Sequence, residues 1–150
     1  MDVTDRVVLI TGASSGVGAA LAQKLGAMGA AVVVNYSRSA EAATQVVAQV
    51  EAAGGRAVAI QADVSEQADC ERLVTATVAE YGRLDVLVNN AGITRDDLIM
   101  RMSVDAFREV LETNLFGAFY TIKAVPRPMP KARRGRIVNI TSVSGQAGQI

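Results

Sequence analysis

Residues 7–18 read Val-Val-Leu-Ile-Thr-Gly-Ala-Ser-Ser-Gly-Val-Gly, and they are the strongest indication of the fold in the sequence. An apolar run ends in a glycine-rich turn and continues as amphipathic sequence, which predicts a strand, a phosphate-binding loop and a helix. Gly12 permits a sharp turn, Gly16 permits close approach of backbone N–H groups to a pyrophosphate, and Gly18 permits tight packing of the helix on the sheet. Because the N–H groups that begin a helix favour an anion, we predict a nucleotide site; a plain strand-to-helix turn is the alternative.

The hydrophobic period alternates along the rest of the chain between that of a buried strand and that of an amphipathic helix. Five strands are predicted, at residues 7–10, 31–35, 57–62, 84–88 and 136–141. Four helices separate them. The first is predicted over residues 17–28 and the second from Ser39 to Gly54. Ser65 and Ser103 are predicted to cap the third and fourth helices, and the fourth ends near Val125, before a proline-rich stretch.

This alternation predicts an α/β fold of the Rossmann type. The expected architecture is a three-layer α/β/α, doubly wound parallel sheet with strand order 3-2-1-4-5 and right-handed crossovers. A ligand is expected at the topological switch between strands one and four, where residues 12–18 and 89–92 come together.

Length and composition narrow the possible functions. The 150 residues suit one domain, and 50% of them are hydrophobic. The single cysteine, Cys70, is expected to be a small core residue, and the absence of histidine argues against Ser-His or Cys-His catalysis and against the usual metal sites. The chain shows no leader and no apolar run near the roughly 20 residues of a membrane span, so a cytoplasmic protein without membrane association is expected.

The charges are unevenly distributed although the formal net charge is zero. All fifteen acidic residues lie at or before Glu112, and a basic cluster follows them, made of Lys123, Arg127, Lys131, Arg133, Arg134 and Arg136. The cluster is either a solvated helix end and turn or a docking surface for an acidic partner. Nucleic acid is not expected as a partner, because no aromatic residues are interleaved with these charges.

The end of the second strand reads Asn35-Tyr36-Ser37-Arg38. Dinucleotide-binding folds often place an acid here, which accepts hydrogen bonds from ribose hydroxyls and repels a 2′-phosphate. Arginine in the absence of a carboxylate favours NADP over NAD, unless Arg38 is an ordinary exposed residue. Asp63 and Val64, after the third strand, either flank adenine or form a turn before the Ser65 cap.

Two further polar groups are candidates for chemistry. Asn114 falls on the apolar stripe of the fourth helix, so we predict a buried amide with either backbone partners or a polar site beneath the helix, since an unpaired one costs about 1 to 3 kcal/mol. Thr141-Ser142-Val143-Ser144 places hydroxyls where the switch-point crevice opens, either for a ligand or for turn backbone.

Four stretches carry a resemblance to a known family: TGASSGVG at residues 11–18, NNAG at 89–92, ETNL at 112–115 and GRIVNITSVSG at 135–145. Together they resemble the classical short-chain dehydrogenase/reductase family over the whole chain. Within it, VVVNYSRS and NNAGITRDDLIMRM are most similar to 3-oxoacyl-[acyl-carrier-protein] reductases. The resemblance implies a cofactor site of Gly12, Ser14, Ser15, Gly16, Val17 and Gly18 at the phosphates, Asn35, Ser37 and Arg38 near the 2′-phosphate, Asp63 and Val64 at adenine, and Asn90, Ala91 and Gly92 along the ribose and nicotinamide.

The resemblance also implies the reaction. Such enzymes use NADPH to reduce a 3-oxoacyl thioester, carried on acyl carrier protein in fatty-acid synthesis, to the 3-hydroxyacyl form. Ser142 would bind the carbonyl oxygen and Asn114 would anchor a proton relay, while the Tyr-x-x-x-Lys motif would lie beyond Ile150. The 150 residues are therefore expected to be the NADP-binding, amino-terminal portion of a homotetrameric reductase. The alternatives are a non-catalytic NADP-binding fragment or pseudoenzyme and a short-chain reductase for another ketone.

Overall fold

The computed structural model describes residues 2–125 and 135–148, except for the side chain of Gln146. The strands are β1 (Val7–Ile10), β2 (Ala31–Tyr36), β3 (Arg56–Gln61), β4 (Val86–Asn89) and β5 (Arg136–Asn139). The helices are α1 (Gly16–Ala27), α2 (Ala40–Ala52), α3 (Gln67–Tyr81), α4 (Val104–Leu111), α5 (Gly117–Ala124) and the short α6 (Ser144–Ala147). A π-helical segment, Glu112–Phe116, joins α4 to α5 in one continuous helix.

The five strands form one parallel sheet with the order β3-β2-β1-β4-β5, as the sequence predicts. Leu9 in β1 is paired with Val33 of β2 on one side and with Leu87 of β4 on the other. Since β2 and β3 continue the sheet in one direction and β4 and β5 in the other, the switch point lies between β1 and β4.

Successive residues of the buried strands face opposite layers of helices. Val8 and Ile10 pack in one cluster with residues of α1 and α2, such as Ala22 and Val46. Leu9 packs in the second cluster on the other face, with residues of α3 such as Leu73. The central strands β1, β2 and β4 are therefore covered on both faces, which explains why they are almost uniformly apolar and confirms the three-layer prediction.

Cys70 lies in the interior, as predicted. Its thiol contacts the carbonyl oxygen of Val64 at 3.3 Å, and burial raises the pKa of Cys70 to about 12. The thiolate, which is the reactive form of cysteine, is therefore suppressed, and Cys70 acts as a core residue.

Two local predictions about helix starts had different outcomes. Ser103 caps α4 as predicted, since its Oγ accepts a hydrogen bond from the backbone N–H of Ala106 at 3.1 Å. The prediction that Ser65 caps α3 is wrong, because the N-cap residue is Glu66, without a side-chain hydrogen bond. Ser65 precedes this N-cap residue, and its hydroxyl instead donates a hydrogen bond to Asp63 Oδ1.

The carboxyl-terminal side of the sheet is open. Within the described residues β5 is an edge strand that pairs only with β4, and each of its four residues is exposed. Its predicted extension to Thr141 is wrong, because the strand ends at Asn139. The predicted basic cluster is mostly outside the described residues, namely Arg127, Lys131, Arg133 and Arg134. None of the described helices is both long and apolar enough to cross a membrane.

Candidate functional site

A cleft of about 490 Å³ lies at the carboxyl ends of the central strands, at the switch point. It collects most of the residues predicted to bind a cofactor. The residues that line it from that set are Gly12, Ser14, Ser15, Val17, Asn35, Ser37, Arg38, Asp63, Val64, Asn90, Ala91 and Gly92. Gly16 and Gly18 do not line the cleft and lie in the first turn of α1.

The glycine-rich loop requires glycine for reasons visible in the backbone. Gly12 adopts φ +60°, and a Cβ there would lie 2.8 Å from the Cα of Ala91. Gly16 adopts φ +56°, and a Cβ there would meet open space, so its requirement is conformational. A Cβ at Gly18 would lie 2.6 Å from the amide nitrogen of Asn90. At Gly12 and Gly18 the loop therefore lies against residues 90 and 91 with no room for a Cβ atom.

The start of α1 faces the cleft and has features that suit an anion. Ser15 is the N-cap residue, but its side chain makes no capping hydrogen bond, and the first turn contains no acidic residue. The first N–H groups of the helix and the positive end of its dipole are therefore not neutralised by the helix's own side chains. This arrangement fits the phosphates of a dinucleotide.

Thr11 and Asn90 join the glycine loop to the segment after β4. Thr11 Oγ1 accepts hydrogen bonds from the backbone N–H groups of Asn90 and Ala91, both at 3.0 Å. The Asn90 amide in return donates to the carbonyl oxygens of Thr11 and Gly12, at 2.9 and 3.1 Å. Because the bonds run in both directions, the two walls of the cleft are fixed to one another.

Asn35, near the end of β2, is 1% exposed, and its side chain is hydrogen-bonded to backbone groups of the protein. Its Oδ1 accepts from the N–H of Gly12 at 3.2 Å, and its Nδ2 donates to the carbonyl oxygens of Ala62 and Ile60 at 3.1 and 3.3 Å. The side chain therefore connects β2 to both the glycine loop and the β3 end.

Ser37, Arg38 and Asp63 form the exposed end of the cleft. Asp63 Oδ2 accepts a hydrogen bond from Ser37 Oγ at 3.3 Å, and its Oδ1 accepts from the hydroxyl and backbone N–H of Ser65 at 2.7 and 3.0 Å. The Ser65 hydroxyl is the largest influence that holds the pKa of Asp63 below its usual value, and the Arg38 charge adds to it. Asp63 is a turn acid and also lines the cleft, so the two alternatives for this residue are compatible.

Asn114 lies in the π-helical segment and fastens the loop after β4. Its Oδ1 accepts from the N–H of Ile93 at 2.8 Å and its Nδ2 donates to the carbonyl oxygen of the same residue at 2.9 Å. The predicted backbone partners are confirmed, but the predicted burial is wrong: Asn114 is exposed, as are Phe107 and Leu115 on the same stripe. The reason is that no residue of α4 or of the π-helical segment is buried by the described elements.

An ion pair that the sequence does not predict lies beside the hydrogen bonds between Asn114 and Ile93. Arg95 donates from Nε and Nη2 to the two carboxylate oxygens of Glu109, both at 2.9 Å, and both residues line the cleft. The two residues are 14 positions apart, on an irregular loop and on α4, so no local periodicity indicates that they meet. Thr113 is the other cleft residue on this helix that was missed.

Ser142 follows β5, and its Oγ accepts a hydrogen bond from the backbone N–H of Ser144 at 3.2 Å. This is the turn-backbone alternative for the hydroxyls of that segment. Ser142 is exposed and does not line the cleft, and no hydrogen bond joins it to Asn114 in the parts of the chain that the structure describes. The two predicted catalytic residues are thus not brought together here.

Comparisons with known proteins agree with this geometry. The sequence profile of the family described as short chain dehydrogenase matches residues 6–150. A 3-oxoacyl-[acyl-carrier-protein] reductase of Synechocystis sp. is 49% identical over 146 residues, which cover 97% of this chain and 59% of the relative. The corresponding reductase of Staphylococcus aureus is 44% identical over 140 residues, with coverages of 93% and 57%. A solved short-chain dehydrogenase/reductase mutant from Serratia marcescens superimposes with a TM-score of 0.93 at 32% identity, over 100% of this chain and 60% of that one.

The sheet order and the glycine-rich loop at the switch point define a Rossmann-type α/β protein. Because the family profile covers nearly the whole sequence, the chain belongs to the short-chain dehydrogenase family. It spans less than two thirds of the length of the curated relatives described above.

Proposed function

We propose that the protein is an oxidoreductase that uses NADPH to reduce a 3-oxoacyl thioester to its 3-hydroxyacyl form, as a step of fatty-acid synthesis. The observation that carries the proposal is the switch-point cleft, which gathers the glycine loop, Ser37 with Arg38, and residues 90–92 in a chain of this family. The relatives named above as 3-oxoacyl-[acyl-carrier-protein] reductases support the choice of substrate.

The residues of the cleft fit a dinucleotide from the pyrophosphate outward. The crowded turn at Gly12 and the uncapped start of α1 suit the phosphates, and residues 90–92 would flank the ribose and nicotinamide. When bound, the cofactor supplies the hydride. Arg38 favours a 2′-phosphate because guanidinium pairs with phosphate and no carboxylate stands at the end of β2.

Asn114 and Ser142 are proposed for the acid–base side of the reaction. The Asn114 amide spends one acceptor and one donor position on Ile93, which leaves one of each for a water molecule of a proton relay. The Ser142 hydroxyl accepts a bond from Ser144 and retains its own proton for donation to a substrate carbonyl oxygen.

The reaction is tested by single-turnover oxidation of NADPH with an acetoacetyl thioester, using the full-length protein. We expect turnover in the wild type and a fall in rate of about 100-fold or more for Ser142→Ala. Thr75→Ala on the exposed side of α3 is the matched control, because that hydroxyl bonds only within its helix. NADPH binding without turnover would indicate a non-catalytic binding module, and turnover restricted to another ketone would contradict the substrate.

We propose acyl carrier protein as the carrier of the substrate. The support is the basic cluster of the sequence, whose members Arg127, Lys131, Arg133 and Arg134 lie outside the described residues. Charge reversal at Arg133 and Arg134 is expected to raise KM for a carrier-bound substrate and to leave KM for a small thioester unchanged. Equal KM values for wild type and variant on the carrier-bound substrate would contradict this docking role.

A homotetrameric assembly is proposed from the family and from the surface of the α4–α5 helix. Three large apolar side chains are more than half exposed on this helix: Phe107 (52%), Leu115 (58%) and Phe119 (56%). An exposed apolar patch of this kind is typical of a protein–protein interface. Analytical ultracentrifugation of the full-length protein should show a tetramer. A stable monomer at micromolar concentration would contradict the proposal.

A further inference from the structure

Near the carboxyl end of β2, the buried amide of Asn35 is hydrogen-bonded to backbone groups on two sides. Asn35 presents two acceptors to consecutive N–H groups of the glycine loop: Oδ1 to Gly12 at 3.2 Å and the main-chain oxygen to Ala13 at 2.8 Å. One residue of β2 therefore fixes the direction of two adjacent peptide groups in the loop that leads to α1.

The other end of the same amide is held by carbonyl oxygens of β3 and its exit. The Nδ2 group donates to Ala62 at 3.1 Å and to Ile60 at 3.3 Å, and it lies 3.4 Å from the carbonyl oxygen of Tyr36. Only an amide supplies an acceptor to an N–H group and two donors to carbonyl oxygens from one short side chain. A carboxylate at this position would direct an oxygen toward three carbonyl oxygens in a buried site.

The glycine loop is closely packed at Gly12, where the support from Asn35 acts. Gly12 is at positive φ and its missing Cβ would contact Ala91, while its carbonyl oxygen accepts from the Asn90 amide. A shift of Gly12 therefore disturbs both walls of the cleft at the place where a pyrophosphate would lie.

We propose that Asn35 is a positioning residue: its buried amide acts through Gly12 and Ala13 to fix the glycine loop in the geometry that binds a pyrophosphate. The inference rests on the proposed cofactor function of the cleft. It differs from a contact with the 2′-phosphate, because the side chain is directed into the junction of β1, β2 and β3.

The test compares two ligands in the full-length protein: NADPH, which contains a pyrophosphate, and 2′-AMP, which contains only the 2′-phosphate end. Asn35→Ala is expected to weaken NADPH binding about tenfold, as the loss of a buried hydrogen-bond group implies, and to leave the 2′-AMP affinity within about twofold. The matched control is Val50→Ala, which removes buried volume on α2 beside Gly26, away from the cleft. It should lower the melting temperature and keep both affinities.

The outcomes separate the inference from the proposed function. Equal loss for NADPH and 2′-AMP, or equal NADPH loss in both variants, would overturn the positioning role. Failure of the wild type to bind NADPH would instead overturn the proposed function.

Hydrogen exchange on the wild type tests the same inference without a variant, and so it also decides the case in which Asn35→Ala does not fold. The amides of Gly12 and Ala13 should be protected before any ligand is added. Fast exchange of both amides in the ligand-free protein would contradict the fixed loop.

Discussion

Arg38 offers the sharpest test of cofactor choice, because the two candidate cofactors differ only at the 2′-phosphate. The side chain is exposed on the rim of the cleft, with Ser37 beside it and the Asp63 carboxylate close enough to feel its charge. Arg38→Ala removes the cation and leaves the carboxylate facing the same region. We expect NADPH affinity to fall while NADH affinity is retained.

The magnitude follows from the charges and the exposure. Two unit charges about 4 Å apart in a water-like dielectric interact by about 1 kcal/mol, and a phosphate close to the dianion doubles this to about 2 kcal/mol. Screening by physiological salt reduces the value to about 1.4 kcal/mol, which corresponds to a tenfold change in Kd. The NADPH-to-NADH preference should therefore fall about tenfold, and the effect should shrink as salt is added.

Equilibrium titration of the full-length variants with each cofactor measures this ratio. Arg108→Ala is the matched control, because that arginine is also exposed but lies on α4 outside the cleft lining. If Arg38→Ala weakens NADPH and NADH equally, or neither, the argument from the 2′-phosphate is refuted.

Three further predictions concern Gly12 in the glycine loop, the buried carboxylate of Asp85, and the ion pair between Arg95 and Glu109. Gly12→Ala should lower the free energy of unfolding by about 1 to 2 kcal/mol and reduce NADPH affinity at least about tenfold, because alanine would be held at φ +60° with its Cβ 2.8 Å from the Cα of Ala91. A melting curve identical to that of the wild type would contradict this. Burial alone would raise the pKa of Asp85, but hydrogen bonds from the Arg83 guanidinium and the Val7 backbone N–H hold it below its usual value. The stabilisation by this carboxylate is therefore present at neutral pH and is lost as pH falls through the folded pKa. Asp85→Ala should therefore cost about 3 kcal/mol at pH 7, and the wild-type and variant stabilities should converge in acid; a constant gap would disprove the assignment. Glu109→Gln breaks the bidentate pair with Arg95, and since both side chains are 44% exposed, chemical denaturation should show a loss below about 1 kcal/mol, with a larger loss counting against a surface pair.

The central part of the fold is predictable because its signals are local. The apolar strands, the glycines at positive φ and the alternation with amphipathic helices specify a parallel sheet with the switch point beside residues 12–18. The position of Cys70 follows from the α3 stripe in the same way.

The incorrect predictions have two physical origins: packing between distant parts of the chain, and competition between neighbouring groups for one hydrogen bond. The helical stripe predicts a buried Asn114, but burial depends on what packs over α4 and the π-helical segment, and periodicity does not contain that information. Serine is a favoured N-cap residue, but the hydroxyl of Ser65 is hydrogen-bonded to the Asp63 carboxylate and not to the backbone of α3. The Asn35 amide is bonded to Gly12 in the glycine loop and to Ile60 and Ala62 at the end of β3, which are 23 to 27 positions away.

Binding of a phosphorylated dinucleotide in the switch-point cleft can be measured by an equilibrium titration of the full-length protein with NADPH and with NADH, followed by nicotinamide fluorescence. Both cofactors are expected to bind in the switch-point cleft, and NADPH is expected to bind at least about tenfold more tightly. Equal affinities, tighter NADH binding or no binding of either cofactor would contradict it.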